Sequence, residues 1–321
     1  MQNDGFVLKV SHLSKHFNLE AGFFAKNRKT VYAVNDVTFD IKKGSTYGIV
    51  GESGCGKTTT ARLIVQLYRQ NSGSIEFFDE NEVVSVEKLN RKQLKKYREK
   101  VKYIFQDPAR SLNPRMTVFD VLTAGLKYSS MWQGKERARI LCEKIIQEVG
   151  LSPDDLNRRP AEFSGGQRQR ISIARGLIMN PELLICDEVV SALDVSIQGQ
   201  IINLLQDLRK KRNLSFMFIT HDLKVACYFC DVIGVMYRGV LVEESPAASL
   251  YKDAFHPYTQ LLFDGAKGTI TNSNIEVKTT LEAENCCPFA YRCPKATDRC
   301  RRELPEFREI AEGHKVRCFM S

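Results

Sequence analysis

Nowhere in this chain do about 18 apolar residues run together, which argues against a membrane-spanning helix. The first ten residues, MQNDGFVLKV, lack a basic segment followed by a long apolar one, so no signal peptide is expected and the chain is placed in the cytosol. There is no internal repeat. Charge is not balanced by acids, with 47 Lys and Arg against 38 Asp and Glu for a net charge of +9. Yet the basic run KLNRKQLKKYREK (88–100) has no sustained interleaving of aromatics to stack on bases, so it reads as a solvated helix face and no nucleic acid is expected as partner. Paired C-x2-C spacing of the common zinc type is also missing. Thiols stay reduced in the cytosol, so the ten cysteines do not suggest disulfides.

At 321 residues, of which 43% are hydrophobic and 26% charged, the chain can bury a full core and fits one large domain plus an appendage, or two domains. FVLKVSHLSKHF (6–17) alternates like a half-buried strand, and NLEAGFFAKNRKT (18–30) breaks the alternation as a loop. VYAVNDVTFDI and STYGIV read as strands around a KKG turn, and the second leads through a glycine-rich segment into a helix, KTTTARLIVQLYR. PELLICDE and LSFMFITHD are short apolar runs of the kind that lie buried in a parallel sheet, with helical IQGQIINLLQDLRKKR between them. DVIGVMYRGVLVEE reads as two strands about an Arg238-Gly239 turn, and about 264–285 is polar and uneven, a linker.

GESGCGKT matches G-x-x-x-x-G-K-[ST] between a strand and a helix, the context this pattern requires. Gly51, Ser53, Gly54, Cys55 and Gly56 let successive backbone N–H groups face one anion, at a helix N-terminus. Lys57 reaches the outer phosphates, Thr58 offers a hydroxyl to Mg²⁺, and Thr59 follows it into the site. LLICDE ends an apolar strand in Asp187, suited to Mg²⁺, and Glu188, suited to polarise an attacking water. His221 follows the strand LSFMFIT; a histidine there is by itself more often a cap or core residue.

EFSGGQRQR places Ser164, Gly165, Gly166 and Gln167 between these halves, and with them the sequence resembles the ABC-type ATPases. That resemblance covers roughly residues 6–262 and implies an α/β fold, a P-loop ABC ATPase domain with a mostly parallel sheet, helices and an inserted helical subdomain at about 100–170. It also implies roles: Phe17 stacking on adenine, Gln106 in YIFQDP sensing Mg²⁺ and water, SALD with Asp194 as a dimer-contact loop, and His221 as γ-phosphate switch. Two such domains close over ATP, the phosphate loop of one facing the Ser-Gly-Gly of the other, so a chain with one of each implies hydrolysis as a dimer. GESGCGKT, QDPARSLNPRMTV, VSALDVSIQGQIINLL and FHPYTQLL resemble the ATP-binding subunits of dipeptide and oligopeptide importers, closest to the second such subunit, with 112–118 as the face for a membrane subunit's coupling helix.

Two positions depart from that pattern. Val189 stands where the family usually has proline, which would loosen the turn at Glu188, and Phe163 stands where leucine is commoner. The tail is also similar to this branch. It carries Cys287, Cys293, Cys300 and Cys318, implied as ligands of a [4Fe–4S] cluster with zinc as the alternative, and Cys286 as substitute or spare. Cys227 and Cys230 lie in a helical stretch with no second pair and read as packing.

The expectation is therefore an ABC ATPase domain at 1–262, a linker at 263–285 and a cysteine-rich region at 286–321. Its expected function is to bind ATP and Mg²⁺ and energise import of di- or oligopeptides at the cytoplasmic face of the membrane. The expected partners are a second ATPase subunit, two permease subunits and an extracytoplasmic binding protein. The alternatives are import of nickel or another small solute, or a soluble ABC ATPase acting on nucleic acid or ribosomes.

Overall fold

Strand identity follows the burial pattern. Leu183–Asp187 and Ser215–Thr220 are buried at every position, so their apolar runs need no alternation, whereas Phe6–Leu19 carries apolar and polar residues in turn because one face is covered. A computed structural model describes residues 5–19, 29–79, 82–107, 111–266 and 286–321. In chain order the strands are β1 Phe6–Leu19, β2 Lys29–Lys42, β3 Thr46–Val50, β4 Ser72–Phe78, β5 Val83–Ser85, β6 Val101–Ile104, β7 Leu183–Asp187 and β8 Ser215–Thr220. Then follow β9 Val232–Tyr237, β10 Val240–Pro246, β11 Arg308–Ala311 and β12 His314–Val316. The loop expected at 18–30 lies largely outside the described residues, as does most of the linker expected at 263–285, whose residues 263–266 instead end the helix Pro257–Ala266.

The chain divides into two units. The first comprises Met1–Ile41, Thr46–Lys88 and Thr220–Ser321, the second Lys42–Ser45 and Leu89–Ile219. In the first unit one antiparallel sheet has the order β2-β1-β4-β5, with Leu8 opposite Phe77 and Val10 opposite Ile75, all buried. The same unit holds the strand order β11-β12-β10-β9-β3, in which β3 and β9 are parallel and the rest antiparallel. Arg238 and Gly239 make the β9–β10 turn, both at positive φ (45° and 84°), as their sequence suggests. The tail is thus tied into this unit by β12, where His314 Nε2 lies 2.8 Å from the fully buried Glu243 carboxylate and Lys315 Nζ lies 3.0 Å from Glu244.

The second unit holds β6, β7 and β8 in parallel register, Val101 opposite Leu183 and Leu183 opposite Ser215. Arg91–Lys100 and Gly165–Leu177 pack on β6. Arg91–Lys100 opens on a capping box between Asn90 and Gln93 and buries only Tyr97, the solvated face expected of that basic run. Val195–Arg212 ends in four consecutive basic residues, which suit a helix C-terminus, and stops at Asn213 in the left-handed conformation. The helix of the phosphate loop is shorter than its sequence suggests. It covers only Lys57–Ile64, since Gln66 turns to φ 56°. Among the described residues no helix is long and apolar enough to cross a membrane.

Candidate functional site: a phosphate loop and an acid pair

In the first unit β3 delivers the chain to Gly51, and the loop 51–56 turns into the helix Lys57–Ile64. Gly56 is its N-cap at φ 113°, a conformation glycine adopts without penalty, and a Cβ there would strike the Ala33 carbonyl. Gly54 is also left-handed (φ 78°), and with Ser53 it is exposed, leaving the crest of the loop open. Lys57 is buried. Its ammonium donates to the carbonyls of Gly51 (2.8 Å) and Glu52 (3.0 Å) and lies 3.9 Å from Cys55 Sγ. Burial pushes the Cys55 thiol up, with Lys57 opposing, so that side chain acts as a small neutral filler. Thr58 and Thr59 follow half-buried on the first turn. A loop of backbone amides at a helix N-terminus with a lysine at its base is a phosphate cradle.

Phe17 lies in β1 of the same unit, half-buried, edge-on to Tyr68 at 5.5 Å between ring centres and under Lys15 Nζ at 5.1 Å. His221 is exposed just after Thr220, and Asp222 caps the following helix Leu223–Phe229 by accepting from Lys224 and Val225 N–H.

The second unit carries the acids. Asp187 ends β7 with its carboxylate buried and accepts the Tyr103 hydroxyl from β6. Glu188 comes next at φ 48°, a strained conformation for a non-glycine residue. Its N–H donates to Ile219 (2.9 Å), while its carbonyl takes both the N–H (3.2 Å) and the hydroxyl (2.9 Å) of Ser191. Val189 is buried at this turn, so apolar packing and Ser191 hold the backbone where a proline ring was expected to. Gln106, following β6, donates its amide to the Glu188 carboxylate at 2.7 Å. Hard oxygen donors of the kind found in Asp187, Gln106 and Thr58 suit Mg²⁺.

In the same unit Ser164 caps the helix Gly165–Leu177. Its hydroxyl accepts from Gln167 N–H (3.3 Å), and its N–H donates to Gln167 Oε1 (2.9 Å). Gly165 and Gly166 therefore lie on the first turn, and Gly166 lies close to Ile197, since a Cβ there would come 2.7 Å from its Cγ2. Phe163 is buried under the Arg158 guanidinium at 4.3 Å. Asp194 is the N-cap of Val195–Arg212 without a side-chain cap bond. In the segment 112–118, Asn113, Pro114 and Arg115 are exposed ahead of Thr117, which caps Val118–Leu126.

The four-thiolate site is not realised. Cys287 N–H donates to the Cys300 carbonyl (3.0 Å), which brings these two cysteines close, but among the described residues no group of three or more His, Cys, Asp or Glu could hold a metal ion. Burial, the largest cause, pushes the Cys287 thiol up to about 11. Neither a [4Fe–4S] cluster nor zinc is supported at these cysteines. Cys286 is buried beside them. Cys230 packs on β3, where a Cβ on Gly48 would come 2.7 Å from its sulfur, in keeping with a packing role for the 227–230 pair.

Sequence reasoning missed three residues. Glu52 stands inside the quoted loop motif and Tyr258 inside FHPYTQLL, so both were legible by position, but their contact and the part of Arg292, 240 residues from Glu52, were not.

A phosphate cradle, a strand ending in an acid pair and a capped Ser-Gly-Gly helix define a nucleotide-hydrolysing cassette. The ABC transporter family profile matches residues 34–191, and that of the oligopeptide/dipeptide transporter C-terminal region matches 242–300. The oligopeptide transport ATP-binding protein AppF of Bacillus subtilis (strain 168) is 40% identical across 99% of this chain and 98% of its own. OppF of the same organism, also an oligopeptide transport ATP-binding protein, is 43% identical across 97% and 96%. The ATP-binding cassette MJ0796, solved as a dimer in a post-hydrolysis state with ADP and Pi, superposes with a TM-score of 0.64 at 27% identity, over 75% of this chain and 98% of that one. The chain belongs to the ABC transporter family, in its oligopeptide/dipeptide branch.

Proposed function

We propose that this chain is the ATP-binding and ATP-hydrolysing subunit of an ABC importer for di- or oligopeptides, peripheral to the membrane through its permease subunits. The observation that carries this reading is near-full-length similarity to oligopeptide transport ATP-binding proteins, with the branch's own C-terminal region following the ABC region in one chain. In it residues 1–262 belong to the ATPase domain, the linker follows the helix Pro257–Ala266 rather than starting at 263, and 286–321 are the cysteine-rich region.

Each residue then has a task. Amides of the loop 51–56 and the Lys57 ammonium hold the β- and γ-phosphates. Thr58, Gln106 and Asp187 would hold Mg²⁺, which supplies charge neutralisation on the phosphates. Glu188 takes a proton from the attacking water, and the Gln106 amide orients its carboxylate at 2.7 Å. His221 senses the γ-phosphate, Phe17 stacks on adenine, and Ser164, Gly165, Gly166 and Gln167 close on the ATP of a partner domain, with Asp194 beside that contact.

The test is co-purification from the native cell in mild detergent, read by mass spectrometry. Two multi-span permeases, a second ATPase and an extracytoplasmic binding protein are expected. A binding protein that carries nickel or another small solute would change the substrate, and ribosomal proteins without permeases would overturn the importer.

A further inference from the structure

One residue of the phosphate loop is held at every polar group it has. The Glu52 N–H donates to the Tyr258 hydroxyl (2.9 Å), and its carbonyl accepts from Lys57 Nζ (3.0 Å) and from the Cys55 N–H (3.3 Å). Its carboxylate is gripped by both terminal nitrogens of Arg292, at 2.9 and 3.0 Å. Lys57, the residue on which phosphate binding turns, is thus tied to the peptide that Arg292 anchors.

Arg292 belongs to the cysteine-bearing tail, 240 residues further on. It is itself preset. Its N–H and that of Cys293 both donate to the Phe289 carbonyl at 2.9 Å, Ala290 N–H donates to Cys287, and Cys287 N–H to Cys300, so the turn 287–293 is closed on itself. Its guanidinium lies 5.7 Å from the ring centres of both Tyr237 and Phe289, and Nη1 is 3.4 Å from the Tyr237 hydroxyl. Tyr237, Tyr258 and Phe289 pack on each other at 4.5 to 5.4 Å, and Tyr258 and Phe289 are almost wholly buried. A planar fork stacked on aromatics and bonded twice to a carboxylate fixes direction as well as distance, which an ammonium cannot do. The ion pair is partly exposed, so its worth lies in geometry more than in Coulomb energy.

We propose that Arg292 is a positioning residue for the phosphate loop: through Glu52 the C-terminal region sets the affinity of this chain for ATP. The proposal rests on the ATP-binding reading above. It gives the tail a task at the nucleotide that needs no metal.

The experiment is a double-mutant cycle on the full chain, titrated with ATP and Mg²⁺ by calorimetry, with melting temperature recorded alongside. Arg292→Gln and Glu52→Gln are each expected to weaken ATP binding about tenfold, the scale of a charge-assisted hydrogen-bond pair, and the double variant no further. Arg292→Lys keeps the charge without the fork and is expected to recover only part of the loss. In the assembled transporter the KM for ATP should rise for Arg292→Gln while kcat stays within about twofold, a split that general destabilisation would not produce. Affinities within twofold of the original chain, or single losses that multiply in the double variant, would overturn the proposal. If Arg292→Gln does not fold, Arg292→Lys decides by the same criterion. An unsubstituted chain that binds no ATP would overturn the functional reading and this proposal with it, whereas normal binding with unaffected variants would remove this proposal alone.

Discussion

The Gln106 side-chain amide meets the Glu188 carboxylate at 2.7 Å. The two lie 82 residues apart in sequence and become neighbours because β6 and β7 run parallel with Ile104 opposite Cys186, so the residues just past each strand end emerge side by side. Crevices at the carboxyl ends of parallel strands are where α/β proteins place their chemistry.

Glu188→Gln removes the proposed base and keeps the size of the side chain. Phosphate release by the assembled complex is expected to fall by at least about a hundredfold, the usual contribution of a positioned general base, with ATP binding retained. Unchanged turnover would take Glu188 out of the mechanism.

Gln106→Glu would set two carboxylates within hydrogen-bond distance. Like charges so close cannot both ionise readily, so the pKa of the pair rises. The acid limb of the pH–rate profile is expected to move to higher pH, with the rate at neutral pH reduced. A profile of unchanged shape would mean that the contact does not persist during turnover.

Gly56→Ala combines a left-handed φ of 113° with a clash against the Ala33 carbonyl. A loss of at least about 2 kcal/mol is expected from the backbone strain and steric conflict together, read as a lower midpoint in denaturant. ATP binding should fall with it, because the loop's amides share that backbone.

His256 sits before the helix Pro257–Ala266, and its Nδ1 accepts the Tyr258 N–H at 3.1 Å. Burial holds its pKa down, to about 4 from an ordinary 6.5. The unfolded chain therefore takes up a proton that the folded chain refuses. This contribution to stability is complete above about pH 6.5 and is lost as pH falls towards 4, up to about 3 kcal/mol. Urea midpoints between pH 7.5 and 4.5 should show this slope, and His256→Asn, which keeps an acceptor for Tyr258, should flatten it.

Much of the chemistry was legible as local pattern. GESGCGKT needs its glycines, lysine and threonine consecutively because one anion is held by consecutive amides, and EFSGGQ carries a complete capping box in four residues. The strand ending in Asp187 and Glu188 was readable for the same reason: a run buried on both faces must be apolar until it leaves the sheet. The cysteine tail was less legible, since spacing lists thiols but does not say how the fold gathers them, and among the described residues no group of three or more metal donors is found.

By itself, then, the sequence determined the family and the local devices proposed to bind and cleave, because phosphate loops, caps and buried strands are short-range devices written in consecutive positions. Only the tertiary structure decided which distant groups hold those residues in place: Gln106 on Glu188, Ser191 closing the turn where proline is absent, and Arg292 on Glu52 across 240 residues. Such pairs arise from how strands and turns are brought together, and nothing within a few residues of either partner encodes the meeting.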